Sequence, residues 1–137
     1  MTAPGAVLVD SNVLLDVLTE DATWFAWSSE ALAAAADRGY LAVNPLVYAE
    51  VSVGFARIEQ LDKALSADAF LRVPLPWPAA FLAGKCFVAY RRAGGERRSP
   101  LPDFYIGAHA AVEGIPLLTR DPARYRTSLP RLELISP

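Results

Sequence analysis

Short aliphatic runs alternate along the chain with longer segments in which apolar residues recur at helical spacing. The predicted strands are 6–10, 41–43, 117–119 and 132–135, and 72–76 is predicted as an extended connector or a short edge strand. The predicted helices are 11–18, 22–38, 45–58, 60–71, 78–92 and 103–113. Strands that alternate with helices favour a parallel sheet flanked by helices, so the expected fold class is α/β.

Capping residues mark the boundaries of these elements. Ser11 or Asn12 is positioned to cap the first helix, and Asn44 followed by Pro45 is a typical helix start. The chain contains no internal repeat or linker, and its 137 residues are about the length of one domain. We therefore predict a single domain that spans residues 1–137.

The composition is typical of a folded protein of the cytoplasm. Hydrophobic residues make up 53% of the chain and charged residues 20%, which favours a globular domain. No run of eighteen apolar residues is free of charges and prolines, and no basic region precedes an apolar one at the N-terminus. We therefore expect no membrane segment and a cytoplasmic location. Cys86 is the only cysteine, so it is predicted to pack in the core.

Acidic and basic residues are unevenly distributed, although the formal net charge is only −2. Residues 1–70 contain ten acids and three bases, whereas residues 71–137 contain five acids and ten bases. An acidic front and a basic back can place a cation on one side of a groove and phosphate groups on the other. The alternative is that the arginines are scattered over solvated faces.

Four acidic residues adjoin the carboxyl ends of predicted strands or the helices entered from that side. Asp10 ends the first strand, and Asp121 follows the strand 117–119. Glu50 lies at the edge of an apolar helix face, and Asp103 begins a helix. Each has a structural alternative, as a helix cap, a surface glutamate or a turn residue. If they converge, their repulsion requires a divalent cation, and oxygen ligands without a His or Cys cluster favour Mg²⁺ or Mn²⁺.

Four ordered motifs resemble those of PIN-domain proteins. They are Val9-Asp10-Ser11-Asn12, Tyr48-Ala49-Glu50, Leu101-Pro102-Asp103-Phe104-Tyr105-Ile106-Gly107-Ala108-His109-Ala110 and Leu118-Thr119-Arg120-Asp121-Pro122. Their order, their spacing and the total length are similar to those of the VapC toxins of bacterial toxin–antitoxin pairs. The resemblance covers essentially the whole chain. It implies a PIN-like fold, with about five parallel strands and helices on both faces of the sheet.

The resemblance also implies roles for individual residues. The implied metal-binding and catalytic acids are Asp10, Glu50 and Asp103, with Asp121 as a fourth that holds the metal directly or through water. The implied supporting residues are Ser11, Asn12 and Thr119, which orient carboxylates or water. Two nearby polar residues are left out of the site. Asp16 is expected to face solvent, and His109 is expected to be packed or exposed without a catalytic role.

The implied activity is hydrolysis of RNA by a Mg²⁺- or Mn²⁺-dependent endoribonuclease. We hypothesise that bound metal activates a water for attack on a backbone phosphate, so that no side-chain nucleophile is needed. The implied partners are a cognate VapB-type antitoxin, a second copy of the chain in a homodimer, and operator DNA only through the antitoxin. Trp24, Phe25 and Trp27 cannot all face the core, so part of their helix is predicted to be a docking surface.

Arginines are predicted to hold RNA phosphates beside the acidic site. The predicted set comprises Arg91, Arg92, Arg97, Arg98 and Arg120. The first four lie in the basic segment 91–100 around a pair of glycines, and a solvated loop between helices is the alternative reading of that segment.

Two other classes of protein share parts of this pattern. A response-regulator receiver also binds Mg²⁺ beyond parallel strands, but it requires an acidic pair after the first strand and a lysine after the last. Asp10 is followed by Ser11 and Asn12, and the only lysines, Lys63 and Lys85, lie in predicted helices. The second class is a catalytically silent PIN-like module that binds RNA or a protein, and metal titration distinguishes it from a nuclease.

Overall fold

A computed structural model describes residues 4–98 and 101–137. Its elements are β1 (Ala6–Val9), α1 (Ser11–Leu18), α2 (Phe25–Arg38), β2 (Tyr40–Val43), α3 (Pro45–Ser52), α4 (Ile58–Ala64), β3 (Phe70–Arg72), α5 (Trp77–Arg92), α6 (Pro102–Glu113), β4 (Leu117–Leu118), α7 (Ala123–Arg126) and β5 (Leu134–Ile135). The strands form one parallel sheet of five strands in the order β3-β2-β1-β4-β5. The predicted α/β fold with a five-stranded parallel sheet is confirmed.

The core is built on the central strand, β1. All four of its residues are buried, and because successive side chains of a strand point to opposite faces, both faces of the sheet are covered there. β2 and β4 pair with β1 on its two sides, with Val7 opposite Leu41 and Val9 opposite Leu118. A second apolar cluster joins α5 to α6 and contains Cys86, which is buried as predicted.

The carboxyl ends of the three central strands meet at one edge of the sheet. Asp10, Asn44 and Thr119 directly follow β1, β2 and β4, and all three are buried. Asn44 caps α3 as predicted, because its side chain accepts a 2.9 Å hydrogen bond from the Val47 amide. The cap of α1 is Asp10, so the prediction of Ser11 or Asn12 at that position is wrong. This edge collects polar groups that are shielded from solvent.

Several element boundaries differ from the predictions, and the connector or edge strand predicted at 72–76 is a strand at 70–72. The second helix begins at Phe25, three residues later than predicted, and the third ends at Ser52. The helix predicted over 60–71 ends at Ala64, because residues 70–72 form the edge strand β3 beside β2. Pairing with a neighbouring strand is a long-range contact, and it overrides a local helical pattern.

The basic segment 91–100 is divided between two environments. Arg91 and Arg92 form the last turn of α5, whereas Arg97 and Arg98 lie in the loop that follows. Ser99 and Pro100, at the end of the predicted basic loop, lie outside the described residues. Among the described helices, none has both the length and the apolar character that crossing a membrane requires.

Candidate acidic site

Asp10 is the most buried acid of the site, with 2% of its surface exposed. Its Oδ1 accepts a 2.8 Å hydrogen bond from the Ser11 amide at the start of α1. Its Oδ2 accepts hydrogen bonds from Thr119 Oγ1 at 2.9 Å and from the Tyr125 hydroxyl at 2.7 Å, and Asn12 Nδ2 lies 3.4 Å away. The carboxylate is therefore held from α1, from the residue after β4 and from α7.

The environment of Asp10 disfavours its negative charge. Burial raises the pKa of Asp10, the hydrogen bonds from Tyr125 and Thr119 oppose that shift, and the charge of Asp103 adds to it. A carboxylate in this position is stabilised by protonation or by a cation nearby.

Glu50 is half-buried on α3 and is joined to α1 by a hydrogen bond. Ser11 Oγ donates to Glu50 Oε1 at 2.9 Å and lies 3.5 Å from Asp10 Oδ1. Burial raises the pKa of Glu50, and the charges of Asp10 and Asp103 raise it further. The mutual repulsion identifies Asp10, Glu50 and Asp103 as three acids in one electrostatic environment.

Asp103 and Asp121 are bridged by the guanidinium group of Arg124. Asp103 lies in the first turn of α6, where its Oδ2 is 3.3 Å from Arg124 Nη1. Asp121 Oδ2 lies 2.9 Å from Arg124 Nε. Asp103 Oδ1 also lies 3.4 Å from the Tyr125 hydroxyl. Asp121 is therefore connected to the other acids mainly through Arg124 and the turn after β4.

Ser11, Asn12 and Thr119 form the polar framework that holds these acids. Thr119 is fully buried, and its Oγ1 receives hydrogen bonds from Asn12 Nδ2 at 3.2 Å and from the Asp121 amide at 3.1 Å. Asn12 Oδ1 accepts a 3.2 Å hydrogen bond from the Arg120 amide. The structure thus brings all seven acidic and supporting residues predicted from the sequence into one connected network.

Arg124 and Tyr125 are two residues of this network that sequence analysis missed. Both lie on α7, a single turn of four residues that is too short to produce a hydrophobic period. The signal that could have identified them is their position. They follow Asp121 by three and four residues, which on a helical turn places their side chains beside it.

Asp16 is buried, so the prediction that it faces solvent is wrong. Asp16 Oδ2 lies 2.8 Å from Arg120 Nε and accepts a 2.8 Å hydrogen bond from Ser28 Oγ. The Arg120 guanidinium also lies over the Trp24 ring, 5.6 Å from its centre. Arg120 therefore links the turn after β4 to α1 and α2, and its binding of RNA stays a prediction.

His109 is packed inside the protein, as one of its two predicted alternatives. It is fully buried on α6, and its Nδ1 lies 3.0 Å from Asn44 Nδ2. Since the Asn44 oxygen already accepts from the Val47 amide, the Asn44 amide nitrogen donates to His109. Burial lowers the pKa of His109, which keeps the ring neutral.

The four arginines of the basic segment are exposed, and in the sequence they precede α6. Arg91 Nη1 donates to the Arg97 carbonyl at 2.9 Å, which ties the end of α5 to the loop. Arg98 precedes Asp103 by five residues. The chain thus leads from a positively charged loop directly into the helix that carries one of the acids.

The donor chemistry of the acidic site fits a hard divalent cation. Its ligand groups are carboxylates and hydroxyls, which suit Mg²⁺ or Mn²⁺, and the charge of Asp103 helps to raise the pKa values of Asp10 and Glu50. Within 4–98 and 101–137, no three Asp, Glu, His or Cys side chains are arranged as a metal-ligand group. In this structure the guanidinium group of Arg124 forms ion pairs with Asp103 and Asp121 and supplies the positive charge beside them.

The family is established by the match of residues 7–128 to the PIN domain. The chain belongs to the PIN-domain family, which confirms the resemblance of its motifs. No curated protein matches the chain in sequence.

Solved structures of toxin–antitoxin complexes share the fold. VapBC2 from Rickettsia felis, bound to a promoter DNA fragment, has a chain that is 18% identical with a TM-score of 0.69, covering 96% of this chain and 98% of that one. A chain of VapBC-1 from nontypeable Haemophilus influenzae is 16% identical with a TM-score of 0.72, and the match covers 96% of this chain and 97% of that one. A chain of a toxin–antitoxin complex from Klebsiella pneumoniae is 20% identical with a TM-score of 0.69, and the match covers 94% of this chain and 95% of that one. At these identities the similarity concerns the fold.

Proposed function

We propose that this PIN-domain protein is a VapC-type toxin, a Mg²⁺- or Mn²⁺-dependent endoribonuclease. The observation that carries the proposal is the convergence of Asp10, Glu50 and Asp103 at the carboxyl edge of the sheet, where burial and mutual repulsion raise the pKa values of Asp10 and Glu50. In open α/β sheets this edge is where ligands bind. The fold shared with structures of VapBC complexes supports the same assignment.

The acids of the site would bind the cation, and the neighbouring hydroxyl groups orient those acids. Asp10, Glu50 and Asp103 would hold the cation, and Asp121 would join them after separating from Arg124. When bound, the cation would supply a Lewis acid that polarises a phosphoryl oxygen and activates water. Thr119 fixes the orientation of Asp10 through its 2.9 Å hydrogen bond. Ser11 fixes Glu50 in the same way.

The basic segment supplies the complementary charge for RNA. Arg91, Arg92, Arg97 and Arg98 are exposed and lie before the helix that carries Asp103. Guanidinium groups bind phosphate oxygens bidentately, and such contacts carry affinity without sequence information. We expect these arginines to hold the phosphates that flank the cleaved bond.

The test is cleavage of single-stranded RNA by purified protein with Mn²⁺ or with EDTA. We expect cleavage only with the metal, and a loss of at least about 100-fold in Asp10→Asn, Glu50→Gln and Asp103→Asn. Asp68→Asn is the matched control, since it makes the same chemical change at an exposed aspartate outside the site. Cleavage that persists in EDTA, or that Asp10→Asn leaves unchanged, would contradict the proposal.

Metal titration separates the nuclease from a silent PIN-like module. Calorimetry with Mn²⁺ reports on binding, and RNA-end sequencing after brief expression reports on cleavage. Binding of Mn²⁺ together with new RNA ends supports the nuclease. A protein that binds RNA but neither binds Mn²⁺ nor cleaves is a silent module, and this outcome rejects the proposal.

The proposed partner is a VapB-type antitoxin, through which the complex would contact operator DNA. Trp27 packs against the core, Trp24 is half-buried under Arg120, and 39% of Phe25 is exposed, so one end of α2 presents aromatic surface. We expect the chain to co-purify with the product of an adjacent small gene and to lose activity in that complex. A chain that is harmless when expressed alone would count against this part of the proposal.

The proposed assembly is a homodimer in the cytoplasm. Light scattering of the purified protein measures its mass directly, and the expected value is twice that of one chain. Cell fractionation locates the protein. A monomer at micromolar concentration would remove the dimer from the proposal and leave the nuclease assignment intact.

A further inference from the structure

Tyr125 is a buried tyrosine that touches two of the four acids. Its side chain is 1% exposed, and its hydroxyl donates to Asp10 Oδ2 at 2.7 Å and lies 3.4 Å from Asp103 Oδ1. Asp10 and Asp103 come from different parts of the chain, at the end of β1 and the start of α6. The hydroxyl therefore holds Asp10 through its one hydrogen bond and lies beside the carboxylate of Asp103.

The space for the Tyr125 ring is created by a glycine in α6. A Cβ atom at Gly107 would lie 2.9 Å from Tyr125 Cδ1 and 2.7 Å from Leu129 Cδ1, closer than side chains approach one another. Gly107 thus lets the ring pack directly on the helix, four residues from Asp103. The same helix positions both the acid and the aromatic ring whose hydroxyl contacts it.

The hydroxyl is a neutral donor among negative charges. A tyrosine hydroxyl is uncharged at neutral pH, and here it donates its proton to Asp10 Oδ2. A hydrogen bond from a neutral group stabilises a carboxylate without adding a positive charge that would compete with a cation. Arg124 differs in this respect, since it carries a full charge.

The Tyr125 bond also determines which oxygen of Asp10 is left with acceptor capacity. Oδ2 accepts the short hydrogen bonds from Tyr125 and Thr119, whereas Oδ1 accepts one short bond, from the Ser11 amide. Each carboxylate oxygen has about two lone-pair directions. Oδ1 is also the oxygen near Ser11 Oγ, which is bound to Glu50. The free capacity of Asp10 therefore belongs to the oxygen that shares a neighbour with Glu50.

We propose that Tyr125 is a positioning residue, which holds Asp10 in place beside Asp103 before a divalent cation binds and so sets the cation affinity of the acidic site. The inference rests on the proposed function, because it takes the acidic site to be a Mg²⁺ or Mn²⁺ site. Residues that orient metal ligands typically change metal affinity by about 10–100-fold. Loss of the hydroxyl is therefore expected to weaken Mn²⁺ binding about tenfold.

The experiment measures Mn²⁺ affinity by calorimetry in metal-stripped wild-type protein, Tyr125→Phe and Tyr48→Phe. Tyr48 is the matched control because its hydroxyl also donates to an aspartate, Asp62, at 2.7 Å, in a contact that involves none of the four acids. Thermal unfolding in EDTA is measured in parallel. We expect Tyr125→Phe to raise the Mn²⁺ dissociation constant about tenfold and Tyr48→Phe to leave it unchanged.

The outcomes separate this inference from the proposed function. If the wild type binds Mn²⁺ and Tyr125→Phe binds it equally well, Tyr125 is only a packing residue, whatever the change in thermal stability. If the wild type binds no Mn²⁺, the proposed function fails and the inference fails with it. If both tyrosine variants weaken binding equally, the effect is one of general stability and the inference is rejected.

A second variant tests the positioning role of Tyr125 if Tyr125→Phe does not fold. Gly107→Ala keeps the hydroxyl but displaces the ring from the helix, so it is also expected to weaken Mn²⁺ binding about tenfold. The measurement is made below the unfolding midpoint of the variant. Unchanged affinity in a folded Gly107→Ala protein would overturn the inference.

Discussion

Arg124 Nε lies 2.9 Å from Asp121 Oδ2, and Nη1 of the same guanidinium lies 3.3 Å from Asp103 Oδ2. A divalent cation that draws these acids towards Asp10 must replace both contacts. Exposed ion pairs contribute up to about 1 kcal/mol each, and about half of the Arg124 side chain is exposed. We therefore predict that Arg124→Ala tightens Mn²⁺ binding about two- to tenfold, measured by calorimetry.

Arg126→Ala is the control for this prediction. Arg126 is exposed on the same turn, so its removal changes the net charge by the same amount. If the two variants tighten Mn²⁺ binding equally, the effect comes from net charge and the contacts of Arg124 have no part in it. Because Arg124 and Tyr125 are adjacent and both lie beside Asp103, opposite effects of their substitutions on the affinity would show that a charged and a neutral donor act differently on the acidic site.

The raised pKa of Asp10 predicts a pH-dependent loss of stability in the metal-free protein. A pKa that is higher in the folded than in the unfolded state stabilises the fold below the unfolded value, near 3.8, and this contribution is lost as pH rises through the folded value. Asp10→Asn cannot ionise there. The free energy of unfolding of Asp10→Asn, relative to wild type, should therefore increase from pH 4 to pH 8 in EDTA.

Urea unfolding across that pH range provides the measurement. Saturating Mn²⁺ should reverse the difference, because the cation stabilises the wild type and binds the variant poorly. A gap between wild type and Asp10→Asn that is constant with pH would show that Asp10 does not titrate with a raised pKa.

The positions of the acids could be predicted from sequence because each depends on local signals. Asp10 ends an aliphatic run, and Asp103 begins a helix that follows a proline, so the parallel topology alone directs both to one edge of the sheet. The position of Glu50 at the edge of the buried face of its helix follows from the helical spacing of the apolar residues around it. The order of strands in the sheet does not follow from such local signals, but the family resemblance already implied a sheet of this kind.

The contacts among the acids could not be predicted, because they depend on side chains far apart in the sequence. The Tyr125 hydroxyl reaches Asp10 across 115 positions, and Arg120 reaches Asp16 across 104. Asp16 was expected to face solvent because it lies about a turn and a half of helix beyond Asp10, and its distant partner Arg120 could not be identified from the sequence. An extended connector or short edge strand was predicted at 72–76 and residues 70–71 were placed in a helix, whereas the strand covers 70–72, where it pairs with β2.

The contact between Arg120 and Asp16 predicts a stability effect at a distance from the acids. Asp16 is 3% exposed, so Arg120→Ala would leave a buried carboxylate with only the Ser28 hydroxyl as partner. An acceptor left unsatisfied in the interior costs about 1–3 kcal/mol. We expect Arg120→Ala to lower the free energy of unfolding by that amount, measured in urea with EDTA.

Arg57→Ala is the matched control for the ion pair. Arg57 also faces a carboxylate, Glu59, at 3.6 Å, but both side chains are about 70% exposed. Its removal should change the free energy of unfolding by no more than about 0.5 kcal/mol. Equal effects of Arg120→Ala and Arg57→Ala would indicate that burial of Asp16 does not strengthen its dependence on Arg120.

Two helical glycines provide a final test of how Tyr125 is packed. Alanine in place of glycine inside a helix gains up to about 1 kcal/mol from backbone entropy, and this gain applies to both Gly84 and Gly107. At Gly84 a Cβ meets nothing within 4 Å, whereas at Gly107 it would lie 2.9 Å from the Tyr125 ring and 2.7 Å from Leu129, which packs beside that ring against the same glycine. Overpacking costs about 1–3 kcal/mol.

The difference between Gly84→Ala and Gly107→Ala isolates that steric cost, because the helix-propensity gain is common to both. We expect Gly84→Ala to be as stable as wild type or more stable, and Gly107→Ala to be less stable than Gly84→Ala by about 1–3 kcal/mol in urea unfolding. Equal stability of the two variants would mean that the Tyr125 ring does not rest on α6. The hydroxyl would then have no fixed position from which to hold Asp10, so this stability measurement also bears on the acidic site without any metal present.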